Sequence, residues 1–273
     1  MATTVNKKNL RVTELDFDQI KDNLKTFLKD QDVLKDYDFD GSAMNVLLDT
    51  LAYNTHYLGY NANMVANEMF LDTAGLRSSV VSHAKTLGYT PRSVRAPQAT
   101  VDITLNDTSV TTATLARGTK FSTVVNDVTY NFLVNTARTK SRVDNVLTFD
   151  NVVLYEGSLC TTRYTADSTN VDQRFIIPDS NADTTTLTVS VQNSSTDTTT
   201  TVFTLATDIS QVSDTSNSYF LQEIENGQFE VYFGDGVIGK ALTDNNIVIL
   251  EYIVTNKSAS NGASTFTPPG SIS

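Results

Sequence analysis

The segment Gly234-Asp235-Gly236-Val237-Ile238-Gly239 matches the G-x-G-x-x-G spelling of a dinucleotide-binding turn, whose glycines let backbone amides approach a pyrophosphate. That chemistry needs a helix immediately afterwards, with its N-terminus on the phosphates. Here Lys240 to Asn246 leads into Ile247-Val248-Ile249-Leu250, another strand, so the glycines are expected to shape a tight turn between β elements. Paired carboxylates are the next candidates, Glu223 with Glu225 and Glu230 with Asp235, as in the acid and base of a glycosidase. On alternating strands they read more simply as the polar face of a sheet. His56 and His83 lie on predicted helices with no second histidine four residues away, which favours packing over metal ligation. There is no G-x-S-x-G nucleophile elbow and no phosphate loop ending in Gly-Lys-Ser or Gly-Lys-Thr. The residues therefore point to no enzyme, and no cofactor or metal is expected.

Composition narrows the classes further. The net charge is -11 over 273 residues, with a sequence pI near 4.5, which argues against nucleic-acid binding, since phosphate neutralisation needs clustered cations. Lys85, Arg92 and Arg95 come nearest to a basic patch, and they flank a predicted helix end where cations offset the helix dipole. The single cysteine, Cys160, excludes an internal disulfide framework and reads as a buried spectator thiol in a protein made in a reducing compartment. No apolar run reaches the ~18 to 20 residues of a membrane span, and Met1 to Leu10 has no signal-peptide core, so the chain is expected to be cytosolic when made.

Two periodicities divide the chain at about residue 95, giving an α+β fold: a long-helix hairpin over 1–95, then an antiparallel β-rich region over 96–273. Leu15, Asp16, Gln19 and Ile20 read as a staple and capping-box start for a first helix with Phe17, Ile20, Leu24, Phe27 and Leu28 on one face. After an acidic linker, Gln31 to Gly41, a helix predicted over Ser42 to Leu71 carries Met44, Leu48, Leu51, Thr55, Leu58, Ala62, Val65 and Met69, separated alternately by four and three residues. This is a heptad seam on a helix about 40 Å long, which predicts a coiled-coil or bundle interface with helices of other chains. Asp72 is expected to cap a third helix with the face Leu76, Val80, Ala84 and Leu87, and Gly88 to close it in the left-handed conformation. Pro91 and Pro97 bound the junction, Thr90 to Gln98, expected to be lightly held.

Beyond it the period falls to two. Hairpins are predicted around Asn126-Asp127 and Asn226-Gly227, with strands at Val101 to Leu105, Val146 to Tyr155, Phe175 to Ile177, Leu187 to Val191, Val202 to Leu205 and Ile247 to Val254. The Thr-, Ser- and Asp-rich stretch from Asp183 to Thr201 reads as a solvated edge hairpin with a mobile loop. The end, Thr265 to Ser273, trails through Pro268, Pro269 and Gly270 as though into more protein.

Two sets of residues also carry a family resemblance. One comprises Tyr37-Asp38-Phe39-Asp40-Gly41-Ser42 leading into Leu47-Leu48-Asp49-Thr50-Leu51-Ala52-Tyr53-Asn54-Thr55, then Asn67-Glu68-Met69-Phe70-Leu71-Asp72-Thr73-Ala74 and Leu87-Gly88-Tyr89-Thr90-Pro91. The other, Phe229 to Lys240, is similar to the Phe-Gly-Asp-Gly-x-x-Gly signature of baseplate-J-like proteins, with Phe233, Gly234, Asp235, Gly236 and Gly239 as its turn. Together they resemble the baseplate wedge proteins, products of gene six, of T-even-like contractile-tailed phages. Residues 106–220 carry little that matches, and members of that family are longer than this chain.

The resemblance implies a structural scaffold in the virion's tail baseplate, assembled in the host cytoplasm. Its partners would be a second copy of itself, a gene-seven-like wedge protein and small sheath-proximal wedge proteins. It implies helices joined in a bundle and a mechanical coupling of host contact to sheath contraction. The alternative is a host-recognition, adhesin-like β module of the same tail, for which Tyr219 and Phe220 are the candidate exposed aromatics.

Overall fold

A computed structural model describes residues 16–29, 42–106, 110–143, 146–170 and 172–269. The chain forms two compact units, Met1–Tyr89 and Thr90–Ser273, so the division falls before the two prolines. The predicted linker Gln31 to Gly41, the staple residue Leu15 and the motif residues Tyr37 to Gly41 lie outside the described residues.

Among the described residues the first unit holds three helices: α1 (Phe17–Lys29), α2 (Ala43–Glu68) and α3 (Arg77–Thr86). Asp16 caps α1 through the Gln19 amide at 3.0 Å, and Ser42 caps α2 through the Asn45 amide at 3.1 Å, each satisfying a donor the helix cannot. Lys21 of α1 pairs with Asp49 of α2. Helix α3 begins without a side-chain cap at Leu76, and Asp72 sits in the preceding turn, so the expected Asp72 cap is corrected. Glu68 replaces it: its carboxylate accepts from the Gly75 amide at 2.8 Å and from the Leu76 amide at 3.2 Å. His83 Nε2 meets the Glu68 carbonyl at 2.9 Å, and the Thr73 hydroxyl donates to the Asn67 carbonyl at 2.6 Å. The Asn67–Ala74 motif is thus a corner whose polar groups hold α2 to α3. The apolar face of α3 is also rotated from the expected one: Val81 and Ala84 are buried, while Leu76 and Leu87 are exposed. Gly88 closes α3 at φ +71°, with the Gly88 amide on Lys85 O at 3.0 Å and the Tyr89 amide on Ala84 O at 3.0 Å.

Among the described residues the second unit is antiparallel apart from one strand pair. A four-stranded sheet runs in the order β1 (Gln98–Leu105), β6 (Leu147–Glu156), β4 (Val128–Val134), β3 (Lys120–Val125), around a core that includes Leu115, Phe121, Phe132, Phe149 and Leu154. β2 (Thr112–Leu115) and β5 (Arg138–Ser141) pair beside it. The larger sheet has seven strands in the order β7 (Ser158–Thr165), β13 (Ile247–Val254), β9 (Ala182–Gln192), β10 (Thr200–Leu205), β11 (Ser218–Glu223), β12 (Phe229–Phe233), β8 (Phe175–Ile177). Its two outermost strands come together: the Tyr164 hydroxyl of β7 donates to Ile176 O of β8 at 2.6 Å, and the Tyr164 ring lies 5.7 Å from that of Phe175. The sheet therefore curls round its own core, which Phe203, Phe233 and Phe175 thread as edge-on aromatic contacts.

Two polar nodes fasten the sheets to each other. The Glu156 carboxylate, fully buried at the end of β6, accepts from the Thr255 hydroxyl at 2.7 Å and from the amide and side chain of Asn256 at 2.9 and 2.7 Å. Arg117, in the turn between β2 and β3, reaches Glu251 at 3.2 Å and Thr186 O at 2.7 Å. Both predicted hairpins are present, as β3–β4 and β11–β12, with Asn126, Asp127, Asn226 and Gly227 at positive φ. The expected edge hairpin over Asp183 to Thr201 is corrected. β9 lies inside the sheet between β13 and β10, and Asp183 is fully buried. Threonine satisfies both needs there, since its hydroxyl bonds locally while its methyl packs; Thr186 donates to Asp183 O at 2.7 Å and is itself buried.

Candidate assembly interface

Helix α2 is 26 residues long, about 39 Å, and from Thr50 to Asn67 it contains no Asp, Glu, Lys or Arg. One side of it serves its own unit, burying Asn45, Leu48, Ala52 and Asn63. Apart from Leu48 those residues are small or polar, and most of the large apolar side chains lie elsewhere on the helix. Of the predicted seam, Leu48 turns inward and Met44 is half-buried, while Thr55 and Ala62 are exposed and Leu51, Leu58, Val65 and Met69 are each more than half exposed. The Thr55 hydroxyl donates to Leu51 O at 2.9 Å, so the seam's polar member is satisfied within the helix.

A second outward stripe escaped the sequence reading. Val46, Tyr53, Tyr57, Tyr60 and Met64 are all exposed, and Tyr53 stacks on Tyr57 with ring centroids 6.4 Å apart. Their spacings of seven, four, three and four obey the same heptad rule, offset on the wheel from the first seam. The signal was present, but a tyrosine pattern is easily taken for a solvated face. Thr50, Asn54 and Asn61 form the polar strip between the stripes, and all three are exposed. A solvated helix normally carries charge on its outer face, whereas α2 presents two apolar stripes and neutral polar residues. Among the described residues no helix is long and apolar enough to cross a membrane.

The glycine motif lies in the second unit, in the connection from β12 to β13. A Cβ on Gly234 would collide with the carbonyls of Ile238 and Gly239, so the chain doubles back there in backbone contact. Asp235 Oδ1 accepts the Ile238 and Val237 amides at 3.0 and 2.9 Å, which hold its carboxyl below the usual carboxylate range. Gly236 and Gly239 have φ of +88° and +87°. The Gly239 and Lys240 amides donate to Ser213 O and Ser216 O at 3.0 and 2.9 Å. These bonds pin the crossover between β10 and β11, the sheet's one parallel pair, which extends over only Thr204–Ser218 and Leu205–Tyr219. The turn's amides and carboxylate are thus engaged within the fold.

The remaining chemistry-bearing residues are dispersed. Glu230 faces Gln222 across the β11–β12 ladder and bonds to it, whereas Glu223, one position on, belongs to the opposite face. Both carboxylates are buried, and the side chain of Glu225 lies outside the described residues. Cys160 is half-buried on β7, opposite Tyr252, and burial pushes its thiol pKa up, away from reactivity. No group of three His, Cys, Asp or Glu side chains suited to a metal occurs among the described residues. Tyr219 is buried in the larger core, and Phe220 is half-buried, stacked on Tyr232 at 5.2 Å with Arg174 over the other ring.

Comparison with known proteins gives two results. The family described as baseplate wedge protein gp6-like, helical domain, matches residues 16–89, the described helical unit. Baseplate wedge protein gp6 of Enterobacteria phage T4 is 33% identical over 266 residues, covering 90% of this chain and 39% of that protein. The chain thus spans about two fifths of the length of the curated relative it matches.

Proposed function

We propose, from the premise that this chain is a gp6-like component of the virion's tail baseplate, that it acts as a structural scaffold of the baseplate wedge. In this reading α2 enters a helical bundle with a second copy and with other wedge proteins, a gene-seven-like protein and small sheath-proximal proteins among them. One observation carries it: over a stretch free of Asp, Glu, Lys and Arg, Thr50 to Asn67, α2 exposes an apolar heptad seam, on a unit whose described residues bury few large apolar side chains. Burying a large apolar side chain is worth roughly 1.5–3 kcal/mol. Leu51, Leu58, Val65 and Met69 are each a little over half exposed, so together they represent roughly 4–7 kcal/mol before the entropy of association is subtracted. Work would be mechanical, a change in how wedges are arranged that couples host contact to sheath contraction, with no bond-making chemistry.

The host-recognition alternative has less support, because Tyr219 is a core residue and Phe220 is covered on one side by Tyr232. Reconstitution with the other wedge proteins tests the scaffold. Leu51→Asp and Leu58→Asp each bring an unpaired charge into the seam and are expected to abolish co-assembly while the β-sheet circular dichroism persists. Normal co-assembly of either variant sinks the proposal.

A further inference from the structure

The proline-bounded stretch after α3 has the composition of a loose linker, yet most of it is fastened to the β unit. Ser93 Oγ accepts from the amide and the hydroxyl of Thr184, both at 2.9 Å. The Ala96 amide donates to Asp183 Oδ2 at 2.9 Å, and the Glu156 amide donates to Pro97 O at 2.9 Å. Ala96 itself is buried. Asp183 makes this attachment hard to undo. Its carboxylate is fully buried, and its other oxygen is occupied by the amide and hydroxyl of Thr185 at 2.9 and 2.6 Å. Lifting the segment would strip Oδ2 of the Ala96 donor and leave a buried acceptor short of a partner, which is costlier than losing an exposed hydrogen bond.

On the other side, α3 is closed by the amides of Leu87, Gly88 and Tyr89. Between these two fixed points, Tyr89, Thr90 and Arg92 are exposed, and among the described residues the tie is the Thr90 hydroxyl on Leu221 O at 3.2 Å. Tyr89 to Arg92 have neither helix nor strand structure.

We infer that Ser93 to Pro97 is a strap belonging to the β unit, and that the freedom of the helical unit to change direction is confined to Tyr89 through Arg92. A pivot of that length lets the helices be reoriented while the β cores stay intact, because none of the strap's hydrogen bonds has to break. This inference stands independently of the proposed assembly role.

Hydrogen exchange on the whole chain provides the first test. The Ala96 and Thr184 amides are expected to exchange with the β9 core, about a hundredfold or more slower than those of Thr90 and Arg92. An Ala96 amide exchanging as fast as Arg92 overturns the strap. The pivot is tested by spin-label distances between Asn54→Cys and Val202→Cys in a Cys160→Ser background. Pro91→Gly, inside the pivot, is expected to widen the distance distribution, and Pro97→Gly, inside the strap, to leave it unchanged. Equal widening by both variants, or none by Pro91→Gly, refutes the confinement.

Discussion

The two units solve the problem of apolar surface in opposite ways. In the β unit, phenylalanines and branched side chains point into two cores, and Phe132, Phe149, Phe175, Ile177 and Leu250 are all but inaccessible. In the helical unit the buried apolar residues among those described are Leu48, Ala52, Ala74, Val81 and Ala84, three of them alanines. Leu47, Leu51, Tyr53, Tyr57, Leu58, Val65 and Met69 meanwhile stand more than half exposed. Both units have helical or strand periodicity of ordinary quality; what differs is which side of the element carries the bulk. Among the described residues the β unit turns its bulk inward, and the helical unit turns much of its bulk outward; in the proposed reading a partner completes it. Apolar content says how much surface must be buried, but only its placement says whether the chain or a partner buries it.

The comparison breaks most easily at the core of the β unit. Phe149 is fully buried in the smaller core, and Phe149→Ala removes a ring whose cavity the surrounding strands cannot refill. A loss of about 3–5 kcal/mol is expected in urea unfolding of the chain, a large share of a typical domain's stability. A loss below about 1 kcal/mol would mean that the β unit is not self-supporting, and the contrast between the units would fail.

How much of this contrast was legible beforehand depended on the kind of signal. Strand alternation and the Asn126-Asp127 and Asn226-Gly227 turns located the hairpins, because the turn chemistry is local. The long helix that carries the proposed seam was equally legible, since helical spacing needs no tertiary knowledge, although Leu48 of that seam turns inward. Sheet order was not: nothing local in Asp183 to Thr201 tells that β9 is flanked on both sides, and threonine reads as surface when it is paired inside a sheet. The tyrosine stripe was hidden by residue type, although its spacing was as regular as the first. Glu68 was hidden by distance, because its carboxylate caps a helix that starts nine residues later. The strap was concealed by composition, because prolines suggest a free linker and its holding groups lie some ninety residues away.

A subtler effect should appear in alkali. Burial pushes the Tyr219 phenol up to about 12, so the folded β unit holds that proton more tightly than the unfolded chain does. A raised phenol pKa contributes stability that is fully present below the ordinary tyrosine value near 10 and is lost as pH rises through the folded value. Urea unfolding between pH 9 and 12 is expected to show a decline on the order of 2 kcal/mol, beginning near pH 10, and Tyr219→Phe should remove most of it. Tyr164 and Tyr252 are also raised by burial and account for a residual slope. An unchanged decline in the Phe variant would place its origin outside the Tyr219 core.

The smallest expected effect is the most discriminating. Leu51→Ala and Leu58→Ala delete large apolar side chains, yet both leucines are exposed in the chain by itself. Little contact is lost, and alanine has the better intrinsic helix propensity, so the two terms nearly cancel. The isolated chain should therefore keep its unfolding free energy within about 0.5 kcal/mol, the range of ordinary surface substitutions. In a reconstituted wedge the same leucines would sit between helices, and their truncation should weaken the assembly by about 2–5 kcal/mol, the range for a leucine removed from a packed core. Thermal unfolding of the chain alone, set beside dissociation of the complex at fixed protomer concentration, reads both sides of the contrast. A fall of several kcal/mol in the isolated chain would mean that the seam is already covered within one molecule. A complex indifferent to both truncations would mean that the seam faces water in the wedge as well. Only the combination of a silent substitution in the free chain and a costly one in the assembly places the missing half of the helical core in another molecule.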